Sequence, residues 1–199
     1  MLSTSNAHRG AVDASRSVDE RILDATASCV VDFGVERVTL AEIARRAGVS
    51  RPTIYRRWPD TNAVLADVLT RRITDLIVGV PARGPDRAAL VTRTVEVATL
   101  LRRDEVIGAV LGSAPEFAMV YITGRLGTSQ QIVVDVLAEE IVRGQQHGSV
   151  REGDPRKLAA MMLLITQSTI QSAHAVESIL DAADLATELT HSLNGYLAP

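Results

Sequence analysis

An all-α fold in two parts is what the sequence predicts, and three observations carry it. Apolar residues recur at intervals of three and four along most of the chain, with no sustained alternation of the kind a half-buried strand needs. Each periodic run opens on a capping residue or closes on glycine or proline. One breaker cluster at 79–85 (GVPARGP) separates a short N-terminal part from a longer C-terminal one.

The elements follow in order. Residues 1–18 are rich in Ser, Ala, Asn and Gly without periodicity and read as a disordered arm. Over 19–33, Ile22, Ala25 or Thr26, Cys29 and Phe33 share one helical face, and Gly34 supplies the stop. Thr39 caps a short helix to Ala47, with Leu40, Ile43, Ala44 and Ala47 inward and Glu42 placed to complete a capping box. Gly48 breaks it. Ser50 caps the next helix, which carries Pro52 in its first turn and ends by Trp58-Pro59. A longer helix from Thr61 or Asn62 to about Val78 has Val64, Leu65, Val68, Leu69, Ile73 and Leu76 as its stripe. Residues 19–78 thus make a first domain and 79–199 a second. The second holds helices over 86–101, 104–111 and 115–146, the last with a bend at Gly124 or Gly127. After a loop at 147–153, Asp154-Pro155 opens a helix to about Val176, and 182–196 forms the last.

Composition narrows the function. The 199 residues are 46% hydrophobic and 23% charged, an ordinary globular balance, with a formal net charge of −3. A single cysteine, Cys29, excludes an internal disulfide framework and a cysteine-cluster metal site, and it reads as a small buried hydrophobe. The longest wholly apolar run, 158–165, is eight residues, far short of the roughly 20 that span a bilayer. Residues 1–17 lack the apolar core of a secretory leader, so a cytoplasmic protein without membrane contact is expected. His8, His147, His174 and His191 have no metalloprotease spacing, Cys29 has no nearby base, and no phosphate-binding glycine loop is present. No catalytic residue, metal site or cofactor is expected.

Charge is concentrated in one place. Lys157 is the only lysine, so the other 20 basic residues are arginines, the pattern that codon bias in a GC-rich genome produces. Between Arg37 and Arg57 six arginines face one acid, Glu42. The two short helices in that span, joined through Gly48, have the form of a helix-turn-helix, whose second helix enters the DNA major groove. Ile43, Ala44, Ala47, Val49 and Ile54 would pack the pair, with Trp58 as a core plug. That leaves Arg51, Thr53, Tyr55, Arg56 and Arg57 to face outward, while the helix N-termini at Thr39 and Ser50 offer N–H groups to phosphates. Arg45 and Arg46 read as a solvated face that attracts at long range.

The stretch 38–58 (VTLAEIARRAGVSRPTIYRRW) closely resembles the DNA-binding signature of the TetR family of bacterial transcriptional regulators, and the resemblance extends over about 19–77. It implies that Thr39 caps its helix and bonds a phosphate, and that Arg51, Pro52 and Thr53 read bases or set the entry of the recognition helix. It implies phosphate contacts for Tyr55 and Arg57, and a base or backbone contact for Arg56. Thr61 departs from the pattern: many members carry lysine there, and a threonine offers a cap, a hydroxyl and an N–H but no charge. The resemblance further implies a homodimer formed by the last two long helices, which suits the all-round apolar run at 158–165. It implies a palindromic double-stranded operator and a small-molecule effector in the second domain, whose binding moves the helix over 61–78 and releases a repressor. Phe117, Tyr121, Met162 and Gln167 are the candidate effector contacts. So few aromatics argue against a cation-binding cage and for an aliphatic or small neutral effector. A DNA-binding scaffold of the same fold, recruiting partners without regulation, is the alternative.

Overall fold

A computed structural model describes residues 17–113 and 127–199, and among them every regular element is helical. The expected arm up to residue 16 and the 114–126 part of the 115–146 helix lie outside the described residues. Packing divides the chain inside one helix, between Val68 and Leu69.

The first unit begins with α1, Val18–Phe33, which takes the last two residues of the expected arm into its cap. Ser17 Oγ accepts from the Glu20 N–H at 3.1 Å, and the Glu20 carboxylate accepts from the Ser17 N–H at 2.7 Å. That reciprocal pair is a capping box. The box expected at Thr39 is only half made. Thr39 Oγ1 accepts from the Glu42 N–H at 3.2 Å, but the Glu42 carboxylate turns forward to Arg45, at 2.6 and 2.9 Å. A charged guanidinium one turn on is a stronger partner than a neutral amide behind. After a 3₁₀ turn at Val35–Arg37 come α2, Leu40–Ala47, α3, Arg51–Arg57, and α4, Thr61–Gly79. Ile22, Cys29 and Val30 of α1 are fully buried, as are Ile43 and Ala44 of α2, Ile54 of α3 and Val64 and Val68 of α4. Trp58 is the plug: it is buried, and its Nε1 donates to Asp67 Oδ2 at 2.7 Å.

The second unit contains the end of α4 and five further helices among the described residues. These are α5 (Arg87–Arg103), α6 (Glu105–Ser113), α7 (Thr128–Gln146), α8 (Pro155–Ser172) and α9 (Ala182–Leu197). Side chains of Asp86, Asp104, Asp154 and Asp181 cap α5, α6, α8 and α9. The N–H groups of Asp184 and Ala183 hold the Asp181 carboxyl below its usual range. The helix expected to reach Val176 stops at Ser172 and tightens into a 3₁₀ turn over Ala173–Val176. The core joins Leu90 and Val91 of α5, Val134 and Ile141 of α7, Leu158, Ala159 and Met162 of α8, and Leu189, Leu193 and Leu197 of α9. No described helix is long and apolar enough to cross a membrane.

One charged side chain crosses this core. Arg93 on α5 donates to the carbonyls of Ile77 and Val80, both at 2.6 Å, and pairs with Glu140 on α7. It therefore satisfies a last-turn carbonyl of α4, the carbonyl just past that helix and the buried carboxylate together. Removing one partner of such a pair strands the other charge. Arg93→Met is expected to destabilise the second unit by about 3–5 kcal/mol. Adding Glu140→Leu should return most of that loss. Urea unfolding followed by circular dichroism reads both; a single-variant loss under about 1 kcal/mol would show that the pair is not structural.

Candidate nucleic-acid interface and ligand cavity

The turn between α2 and α3 depends on backbone geometry that glycine adopts readily. Gly48 has φ 64° and ψ 38°, the left-handed region, and the Val49 N–H reaches back to the Ala44 carbonyl at 3.0 Å. Arg21 of α1 donates Nη2 to the carbonyls of Ala47 (2.7 Å) and Gly48 (3.1 Å), fastening the end of α2 to α1. Ser50 then caps α3: its Oγ accepts from the Thr53 N–H at 3.3 Å and lies 2.7 Å from the Thr53 hydroxyl. Within α3 only Ile54 is buried. Arg51, Pro52, Tyr55, Arg56 and Arg57 are exposed, with Tyr55 54% accessible, and Thr53 is half-buried. Thr39 and Ser50 are exposed at the N-termini of α2 and α3. Thr61 is half-buried as the first residue of α4, and the cap foreseen for it is made by Asp60, whose Oδ1 accepts from the Ala63 N–H at 2.8 Å.

The arginines of this region divide by partner. Arg45 is held by Glu42, which in turn keeps its carboxyl below the usual range. Arg46 is no loose solvated charge. It donates to Ser28 (2.7 Å) and Asp32 (2.5 Å) on α1 and lies over the Phe33 ring at 5.0 Å. Arg57 pairs with Asp19 on α1. Arg51 and Arg56, both on the outer face of α3, have no acidic partner among the described residues. Cys29, deep between α1 and α2, has its thiol pushed up by burial, which outweighs the lowering by Arg46. It is a neutral core residue.

The second unit has a separate feature, a partly open cavity of about 170 Å³. Aliphatic side chains such as Ile73, Val97, Val110 and Leu137 form most of its wall. Gln167 stands on that wall, where its Oε1 accepts from Gln130 Nε2 at 2.8 Å. Met162 does not; it is fully buried in the core between helices, because its position on α8 faces α7 and α9. Phe117 and Tyr121 lie outside the described residues. Sequence reasoning missed Thr166, the residue before Gln167; the Thr166 hydroxyl is buried and has no hydrogen-bond partner among the described residues.

An exposed α3 set on a packed α1–α2 pair defines a helix-turn-helix DNA-binding protein. Residues 22–68 match the family of bacterial regulatory proteins described as the tetR family. An HTH-type transcriptional regulator of Mycobacterium tuberculosis is 63% identical over 177 residues, covering 89% of this chain and 93% of that one. Two solved structures share the fold. The transcriptional repressor QsdR of R. erythropolis has a TM-score of 0.67 at 19% identity, covering 92% of this chain and 96% of that one. FadR from Bacillus subtilis, solved in complex with stearoyl-CoA, has a TM-score of 0.64 at 18% identity, covering 89% and 98%. The chain belongs to the TetR family of bacterial transcriptional regulators.

A Cβ at position 48 would both enter a disfavoured backbone region and approach Arg21 Nη2 to 3.3 Å. Gly48→Ala is therefore expected to cost about 1 kcal/mol, and Gly48→Asn less, in thermal unfolding. Equal stability of all three proteins would remove the turn from the argument.

Proposed function

We propose that this protein is a homodimeric repressor that grips a palindromic operator with α3 and leaves it when a small molecule occupies the cavity of the second unit. The observation that carries the reading is the division of the arginines. Arg45, Arg46 and Arg57 have acidic partners, whereas Arg51 and Arg56 stand exposed on α3 without one among the described residues. In this reading Arg51, Pro52 and Thr53 meet base edges at the tip of the recognition helix, and Tyr55 and Arg56 hold phosphate. Thr39, Ser50 and Thr61 offer hydroxyl or N–H donors at helix N-termini. Arg57 reaches phosphate only by sharing itself with Asp19, which makes it the weakest of these contacts.

Two half-sites roughly 34–36 Å apart need two copies of α3. The second copy has a surface to meet: Met161 (43% accessible) and Leu164 (57%) lie on the outer side of α8, opposite the buried Leu158, Met162 and Leu163. TetR-family regulators dimerise and bind small molecules, which supports both halves of the proposal. FadR's stearoyl-CoA belongs to FadR; what supports an effector here is this chain's own cavity. The relatives are transcriptional regulators, a non-enzymatic class.

Selection of bound fragments from the source genome with purified protein tests the proposal, which expects an enriched palindrome; enrichment no better than random competitor overturns it. On that operator Arg56→Ala should weaken binding to all sequences and flatten the salt dependence by about one unit of slope. Arg46→Ala should lower the unfolding midpoint with the slope unchanged. Arg51→Ala should relax preference at one base pair per half-site by about 1–3 kcal/mol. Unaltered base preference in a randomised-operator selection would remove Arg51 from readout. Sedimentation at micromolar concentration should show a dimer that Leu164→Arg dissociates; a monomeric wild type would refute the two-fold reading.

A further inference from the structure

The chemistry of the cavity wall narrows what can occupy it, an inference that rests on the effector reading above. Charge comes first. Among the described residues the wall carries one cation and one anion, Arg93 and Glu140, and they neutralise each other. Arg93 is further committed to the carbonyls of Ile77 and Val80, and the Arg143 guanidinium lies 3.9 Å from the Glu140 carboxylate. Neither has charge to offer a ligand, so an ionic ligand would be stripped of water without recompense.

Polarity comes second: the Thr94 hydroxyl on α5 is spent on the Leu90 carbonyl, and the other neutral polar side chains of the wall lie on α8 and the start of α7. Gln130 is buried and fully directed: its Oε1 accepts from the Gly127 N–H at 2.9 Å and its Nε2 donates to Gln167 Oε1. That bond orients the Gln167 amide so that its nitrogen, which has no partner among the described residues, is left as a donor. The Thr166 hydroxyl beside it is buried and has no partner among the described residues. A buried hydroxyl without a partner is costly unless something else supplies one. Both spare groups can donate, so they call for an acceptor.

Size comes third. About 170 Å³ is little more than the roughly 150 Å³ of an apolar cavity that takes up benzene. We propose that the cavity binds an uncharged, mostly hydrocarbon molecule of roughly nine non-hydrogen atoms carrying one acceptor oxygen, which Thr166 and Gln167 hold.

Calorimetric titration of the full-length protein at neutral pH with four probes tests this: acetophenone, ethylbenzene, phenylacetate and phenethylamine. Acetophenone is expected to bind, with both charged probes at least about tenfold weaker. Thr166→Val should weaken acetophenone by roughly fivefold and leave ethylbenzene within about twofold, and Gln167→Leu should do the same independently. The proposal is overturned if a charged probe binds as tightly as acetophenone, or if neither uncharged probe binds. It is also overturned if the substitutions weaken ethylbenzene as much as acetophenone. The wild-type comparison stands even if a variant misfolds. Repeating the titration with protein on its operator separates the two readings: binding of acetophenone without DNA release upholds the ligand class while removing effector control.

Discussion

A helix leaves its last carbonyls without partners, and among the described residues two helix ends obtain them from an arginine on another helix. Arg21 of α1 closes the end of α2 at Ala47 and Gly48, and Arg93 of α5 closes the end of α4 at Ile77 and Val80. Each bond joins a charged donor to carbonyls at the negative end of a helix dipole, where both the hydrogen bond and the field favour it. The consequences differ with burial. Arg21 is partly exposed and positions the turn on which α3 is mounted. Arg93 is deeper and has to be matched by Glu140, so the end of α4, α5 and α7 are bound into one arrangement.

The same economy governs the basic region. A helix of seven residues cannot be stable by itself, and α3 has a single buried side chain. Its position must come from its flanks: the Ser50 cap before it, Trp58 buried behind it, and the Arg57–Asp19 pair beside it. Arg46, bound to Ser28 and Asp32 and lying over Phe33, ties α2 to the far end of α1. Arg57 apart, the arginines that assemble the motif are thus distinct from those it displays. Net charge over 37–57 measures attraction to DNA poorly, because half of the six guanidinium groups already face a carboxylate.

What was legible in the sequence was whatever is written in neighbouring residues. The Gly48 stop, the Ser50 cap, the Pro52 start and the Trp58-Pro59 end are local, and each stands where the spacing put it. Errors arose where two local options compete. Glu42 can close a box with Thr39 or pair with Arg45, and spacing alone does not rank the two; charge does. Asp60 and Thr61 are adjacent capping types, and the better acceptor took the role. What depends on residues distant in sequence was not legible: Arg46 with Asp32, Arg57 with Asp19 and Arg93 with Glu140 are visible only once helices are packed. The cavity belongs to the same class. Met162 and Thr166 are four residues apart on α8, yet one fills the core and the other lines the hole.

That distinction also limits how an effector can act. A ligand shifts an equilibrium only by its difference in affinity for the two states, and hundredfold release needs about 2.7 kcal/mol of preference. A small hydrocarbon with one hydrogen bond cannot obtain that from charge. It must obtain it from fit, by filling a space that exists in one arrangement of the walls and not in the other. Ile73 and Ile77 of α4 are part of those walls, and the carbonyls of Ile77 and Val80 are held by Arg93, itself a wall residue. An occupant that spreads the walls therefore presses on the side chains of α4 at the very turn whose carbonyls are fastened to α5. Arg93 holds those carbonyls through Nε and Nη2 and Glu140 through Nη1 of the same guanidinium, so the helix end, the arginine and Glu140 are tied together. On the effector reading proposed above, packing displacement at the cavity would pass to the end of α4 with no polar bond broken.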